Sequence, residues 1–231
     1  MTILEASREA VYLLVSGNAD LWAAILVSLR VSTAALLLAT PPAILLGFVL
    51  GNYQFPGRRA LIVIVQTLLS FPTVVIGLIM YMLLSRSGPL GSWQLLFTQE
   101  GMMLAEAVLA FPILTAMTLA AVQGIDRRAI ETARSLGAKP LRVALTTLIE
   151  VRFAVIAALV IGFGRVISEI GCALMVGGNI AGLTRTMTTS IALETSKGLF
   201  AEGIALGLVL ILIALAVNMA LNLLQGRGEQ R

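Results

Sequence analysis

Long apolar runs joined by short polar segments dominate the chain from residue 21 onward. Residues 60–84, 107–123 and 203–224 carry no charged side chain, and each approaches or exceeds the ~20 apolar residues that cross a ~30 Å hydrocarbon layer. Extending the pattern to its polar flanks predicts five spans, at residues 21–50, 60–84, 102–123, 153–177 and 201–224. Ahead of them, Ile3, Ala6, Ala10, Leu13 and Leu14 fall at helical spacing with Glu5, Arg8 and Glu9 on the other faces. Residues 1–20 therefore read as an amphipathic helix on the membrane surface; a cleaved leader would have a basic start and no acids.

The one long polar interruption lies between the third and fourth spans, at residues 125–152. Asp126 is placed to cap a helix running from Arg127 to about Leu136, Gly137 to end it in the left-handed C′ position, and Pro140 to open a second helix. This predicts a helix, a sharp turn and a helix. Glu131 is spaced to pair with Arg127, Arg128 and Arg134, while Ile130, Ala133, Leu136 and Leu141 supply an apolar side. Such a helix can dock in a groove of a soluble partner or lie flat on lipid, and the spacing alone leaves both open.

Prolines punctuate three of the apolar stretches, at Pro41-Pro42, Pro72 and Pro112. Each removes a helical hydrogen bond that lipid cannot replace, so the expected architecture is an all-α, polytopic bundle whose helices satisfy one another. The Phe-Pro pair is preceded by Ser70 in one case and Ala110 in the other. An internal repeat would leave this pattern, but so would the ordinary frequency of proline in membrane helices.

Composition sharpens the picture: 58% of residues are hydrophobic and 12% charged, with a net charge of +4. The basic residues divide by side. Arg58, Arg59, Arg127, Arg128, Arg134, Lys139, Arg142, Arg152, Arg227 and Arg231 fall on the side of the polar interruption, and only Arg8, Arg86, Arg185 and Lys197 on the other. The positive-inside rule then sets the N-terminus out and the C-terminus in, and the charge needs no nucleic-acid partner. The absence of histidine and the single cysteine, Cys172, exclude a His-dependent triad, an HExxH metal helix, a four-cysteine zinc site and an internal disulfide. The sequence contains no GxxxxGK[ST] phosphate loop.

Two stretches carry a family resemblance. "ETARSLG" at residues 131–137 resembles the EAAxxxG loop of permease subunits of ATP-binding-cassette importers, with Glu131, Ala133 and Gly137 matching and Thr132 in place of the second alanine. The family's I-x-L-P continuation is absent, since residues 147–150 read "TLIE". "FGRVISEIGCALMVGGNIAGLTRTMTTSIALETSKG" at residues 163–198 resembles the tungstate branch of oxyanion importers, close to the molybdate permeases. The resemblance implies one type I permease domain over residues 1–231, in the bacterial cytoplasmic (inner) membrane and surrounded by lipid. It also implies that a second copy completes the pathway, that a separate ATPase binding ATP and Mg docks on the loop, and that an extracytoplasmic binding protein delivers the anion. The chain itself is expected to be no enzyme and to bind no cofactor or metal. Molybdate or sulfate remain alternative cargoes, and an ATPase-independent anion transporter an alternative mechanism.

The same resemblance places candidate roles. Glu131, Ala133, Leu136 and Gly137 would shape the ATPase coupling loop. Arg165 and Glu169, spaced i and i+4 within the fourth span, are expected to point into the bundle, either as a neutralised packing pair or as a gate lining the pathway. Arg30 could snorkel, pair with an acid or attract the anion. Gly177, Gly178, Asn179, Thr184, Arg185 and Thr186 form an outer segment open to three readings: contact with the binding protein, direct contact with the oxyanion, or a connecting loop. Glu106, Glu194 and Glu202, near span ends, read as surface residues.

Overall fold

The computed structural model describes residues 8, 11–125, 128, 131–132, 135 and 137–226, and all the regular structure among them is helical. In chain order these residues form α1 (Ala19–Asn52), α2 (Arg58–Leu69), α3 (Thr73–Leu84), a 3-10 turn at Gly91–Trp93, and α4 (Gln99–Gln123). There follow α5 (Pro140–Glu150), α6 (Arg152–Ile167), α7 (Gly171–Gly177), α8 (Met187–Ser196) and α9 (Phe200–Gly226). By length and composition α1, α4 and α9 can each cross a membrane unaided. The pair α2–α3, bent by 102°, and the pair formed by Arg142–Glu150 with α6, bent by 59°, bring the count to five if each pair is one span.

Two expected spans are thus broken. The second is cut at residues 70–72, where Pro72 brings no N–H to continue α2 and instead stands in extended conformation (φ −62°, ψ 126°) as the N-cap of α3. The fourth, expected to run to Gly177, ends at Ile167, and α7 is a separate short helix. The Ser168 hydroxyl donates to the carbonyls of Gly164 (2.8 Å) and Arg165 (3.1 Å), two of the acceptors that a helix C-terminus leaves open. By contrast α1 runs unbroken for 34 residues through Pro41-Pro42, and α4 passes through Pro112. The two Phe-Pro sites therefore differ in structure, one a break and one a continuous helix.

The centre of the bundle is the contact of α1 with α4. Ala35, Ala39, Ala43, Gly47 and Gly51 recur every fourth residue along α1, and all five are buried. A Cβ at Gly47 would lie 2.7 Å from the Thr115 carbonyl oxygen, and one at Gly51 would lie 2.6 Å from Val122 Cγ1. Small side chains here let the helices approach closely, which is how helices associate where the solvent is as apolar as the core. A second close contact joins α3 to α7, where a Cβ at Gly77 would lie 2.9 Å from the Cys172 Cα.

Of the expected amphipathic segment, residues 1–7, 9 and 10 lie outside the described residues. Residues 11–15 are helical, and Leu13 and Leu14 pack on the core cluster of Leu21, Ile25 and Leu206. The chain turns at Gly17 (φ +73°) into α1, whose first N–H groups are capped by the Asn18 side chain, accepting from Asp20 and Leu21.

Candidate functional site

Glu169 lies in the break between α6 and α7, at the end of a membrane-capable segment. Its carboxylate is bound at both oxygens: Oε2 accepts from Arg165 Nη1 at 3.3 Å and Oε1 from the Cys172 backbone N–H at 3.2 Å. The expected i, i+4 pair therefore forms, but only half of it points inward. The Glu169 side chain is 3% exposed and the Arg165 side chain 50%. The reason is local. Because α6 has already ended, the chain at Glu169 turns inward to cap α7, while Arg165 remains on the open face of the last helical turn. A cavity of about 20 Å³ adjoins the pair, lined by Leu68, Leu69, Phe71 and Thr73 from the bend between α2 and α3 and by Leu109 and Ile113 of α4. The two broken spans thus meet at one place, beside the guanidinium. Arg30 is exposed on α1, in one stripe with Leu26, Thr33 and Leu37.

The outer segment is held from within. Gly178 (φ +69°), Asn179 (φ +53°) and Gly182 (φ +71°) take left-handed conformations. A Cβ at Gly178 would meet the Phe97 ring at 2.7 Å, and one at Gly177 would meet Met102 Sδ at 2.6 Å. These two glycines serve close approach inside the chain. Thr184 and Thr186 are buried as well. The Thr184 hydroxyl donates to the Gly177 carbonyl and accepts from the Ile180 N–H (3.0 Å), while Thr186 caps α8. Arg185 is half-buried, its Nε donating to Asn179 Oδ1 at 3.2 Å and its Nη2 to the Asn179 carbonyl at 3.5 Å.

Arg185 also lines a cavity of about 270 Å³ with Asn18, Asp20, Glu194, Lys197 and Glu202. No sequence pattern announces this grouping, because it joins residues from both ends of the chain. Glu194 is buried and paired with Lys197 Nζ at 3.0 Å, and Glu202 is half-buried. Glu106, also expected at the surface, is 2% exposed, on the face of α4 that packs with Ala105 and Leu109 into the core. Its polar neighbour is the Ser32 side chain of α1, and its Oε2 has no protein partner among the described residues.

In the polar interruption, Gly137 takes φ +80°, the left-handed conformation expected of it, and Pro140 opens α5. Residues 128, 131, 132 and 135 are helical, with the Thr132 and Ser135 hydroxyls donating back to the carbonyls four residues earlier. Glu131 is exposed. Asp126, Arg127, Ala133, Arg134 and Leu136 lie outside the described residues.

Among the described residues, an all-helical bundle with several membrane-capable helices, and a charged pair where two of its spans break, defines a multi-pass membrane protein. The profile of the family described as "Binding-protein-dependent transport system inner membrane component" matches residues 43–231, and the chain belongs to that family. Its members are permease subunits and not themselves enzymes. The chain is 41% identical over 216 residues to the tungstate uptake system permease protein TupB of Campylobacter jejuni, covering 94% of this chain and 90% of that one. It is 38% identical over 223 residues to TupB of Peptoclostridium acidaminophilum, covering 96% and 98%. A more distant relative is the molybdenum transport system permease protein ModB of Escherichia coli K12, at 32% over 206 residues, with 85% and 89% covered. Among solved structures, a bacterial transporter that imports alginate aligns with a TM-score of 0.76 at 20% identity, over 95% of this chain and 83% of that one. The MetNI methionine transporter, in an inward-facing form, aligns with a TM-score of 0.68 at 17% identity, covering 97% of both chains.

Proposed function

We propose that this chain is the permease subunit of an ATP-driven tungstate importer, working as a homodimer in a bacterial cytoplasmic membrane with the N-terminus out and the C-terminus in. The observation that carries the cargo is the 41% identity to a tungstate uptake permease along 94% of the chain. Molybdate is the second reading, favoured by the 32% identity to a molybdenum permease.

On this reading residues 125–152 are the coupling loop. Glu131, Ala133, Leu136 and Gly137 form its docking face for a separate ATPase, which holds the ATP and Mg; this chain binds neither cofactor nor metal. The left-handed Gly137 and the proline-started α5 support a loop of fixed shape, as transmission of a rigid-body motion requires. Arg165 lines the pathway with Glu169 as its partner, and the exposed Arg30 faces the pathway as well, since a bare guanidinium facing lipid is costly. The second copy and the water-filled pathway cover these faces. Asn179 and Arg185 meet the extracytoplasmic binding protein, on a segment that Gly177, Gly178, Thr184 and Thr186 hold rigid. Residues 1–20 lie along the outer membrane surface.

The test is cellular tungsten and molybdenum content by mass spectrometry, in cells lacking the chain and in complemented cells given low tungstate, molybdate and excess sulfate. Chain-dependent tungsten that resists sulfate is the expected result. Dependence of molybdenum alone selects the second reading, and uptake that persists without the ATPase subunit overturns the ATP-driven mechanism.

A further inference from the structure

Four hydrogen bonds fix Glu169, and three come from its own neighbourhood: Arg165, Cys172, and its own N–H donated to the Val166 carbonyl at 3.0 Å. The fourth comes from 19 residues away. The Thr188 hydroxyl, buried at the start of α8, donates to the Glu169 carbonyl oxygen at 2.7 Å. Thr188 stands in turn 3.0 Å from the Thr186 hydroxyl. A hydroxyl has one proton to give. As that of Thr188 goes to Glu169, Thr188 accepts from Thr186, and the protons run in one direction from the N-cap of α8 to the break that carries Glu169. The turn that presents Thr188 is itself held, because the Met187 N–H donates to the Ser28 hydroxyl of α1 at 2.7 Å.

The geometry points to Thr188 as a positioning residue: its bond to the Glu169 carbonyl ties the outer segment at 178–186 to Arg165, so that engagement of the outer face is read at membrane depth. The inference rests on the importer reading above. Several features make this bond a connector and not one more packing contact. It ends on the residue that holds Arg165, it is the bond that joins the break between α6 and α7 to α8, and its donor sits directly after the segment bearing Asn179 and Arg185. A displacement of α8 relative to α6 cannot leave Glu169 in place while this bond is kept, and Glu169 cannot shift without moving the partner of Arg165.

The test uses the full complex of permease, ATPase and tungstate-loaded binding protein in proteoliposomes, and reads the ratio of carrier-stimulated to basal ATP hydrolysis. Thr188→Val keeps the shape and removes the donor; the ratio is expected to fall about fivefold or more toward one, the scale of losing one buried hydrogen bond from a two-state coupling. Thr188→Ser is expected to restore it. Ser28→Ala, which loosens the same turn but leaves the Thr188 donor in place, is expected to lower it by less than Thr188→Val does, and a larger loss would overturn the inference. Should Thr188→Val fail to assemble, Thr188→Cys takes its place, with a weak donor and an intermediate ratio. A Thr188→Val complex that keeps the wild-type ratio overturns the inference, as does one that loses both rates together or is not rescued by serine. A wild-type complex with no carrier stimulation at all overturns the importer reading and this inference with it.

Discussion

The Arg165–Glu169 pair holds a charge in place without holding the fold together. With the guanidinium half exposed, the ion pair is worth no more than about 1 kcal/mol to the fold. Replacing Arg165 with methionine together with Glu169 by glutamine, so that no buried carboxylate is left unpaired, is therefore expected to leave the yield and melting temperature of purified protein near wild type while tungstate uptake falls about tenfold, the cost of one charge-assisted contact to the anion. Loss of folded protein in proportion to uptake would return the pair to a packing role. Gly47 is the opposite case. A side chain there meets backbone at 2.7 Å, so Gly47→Val is expected to destabilise by ~1–3 kcal/mol, lowering the melting temperature in detergent without any direct part in transport. The pair is legible in the sequence as an i, i+4 spacing. The small residues at every fourth position of α1 are present in the sequence too, but a reading by hydrophobicity does not set them apart from the apolar residues around them. Burial of Glu106 could not be read, since a lone carboxylate near a span end looks the same whether it faces water or Ser32.

At the scale of elements, the spans were readable and their interruptions were not. Proline is present in "TPPA", "SFPT" and "AFPI" alike, but only the second breaks its helix. There the chain leaves the helix at Ser70, α3 starts afresh from Pro72, and α3 is held by its close contact with α7. That contact joins Gly77 to Cys172, far apart in the chain, which no local pattern encodes. The end of α6 follows the same logic, with Ser168 and the inward turn of Glu169 overriding an apolar run that reads as continuous. The turn between residues 137 and 140, by contrast, follows from two residues with few alternatives, Gly137 and Pro140. Gly137→Val forces a β-branched residue into φ +80°, at a cost of ~1–2 kcal/mol in the loop. We expect ATP hydrolysis to persist while uptake per ATP falls severalfold; unchanged uptake per ATP would remove the shape-fixing role from that glycine.

For the whole molecule, sidedness rests on the count of basic residues on each side. The only cysteine, Cys172, is fully buried, so the native chain provides a silent background for thiol labelling. Ser87→Cys is expected to react with a membrane-impermeant maleimide in intact cells, and Ser135→Cys only after permeabilisation; the reverse pattern would invert the topology. The fold follows from the spans, whereas the class and the cargo come from resemblance, since an exposed guanidinium such as that of Arg165 suits any tetrahedral oxyanion. The decisive measurement is tungsten accumulated inside ATP-loaded proteoliposomes that hold the permease, its ATPase and the external binding protein. Accumulation that needs internal ATP and all three proteins, and that resists excess sulfate, is the result expected of a tungstate importer. Accumulation without ATP, or none under any combination while molybdate enters, would contradict it.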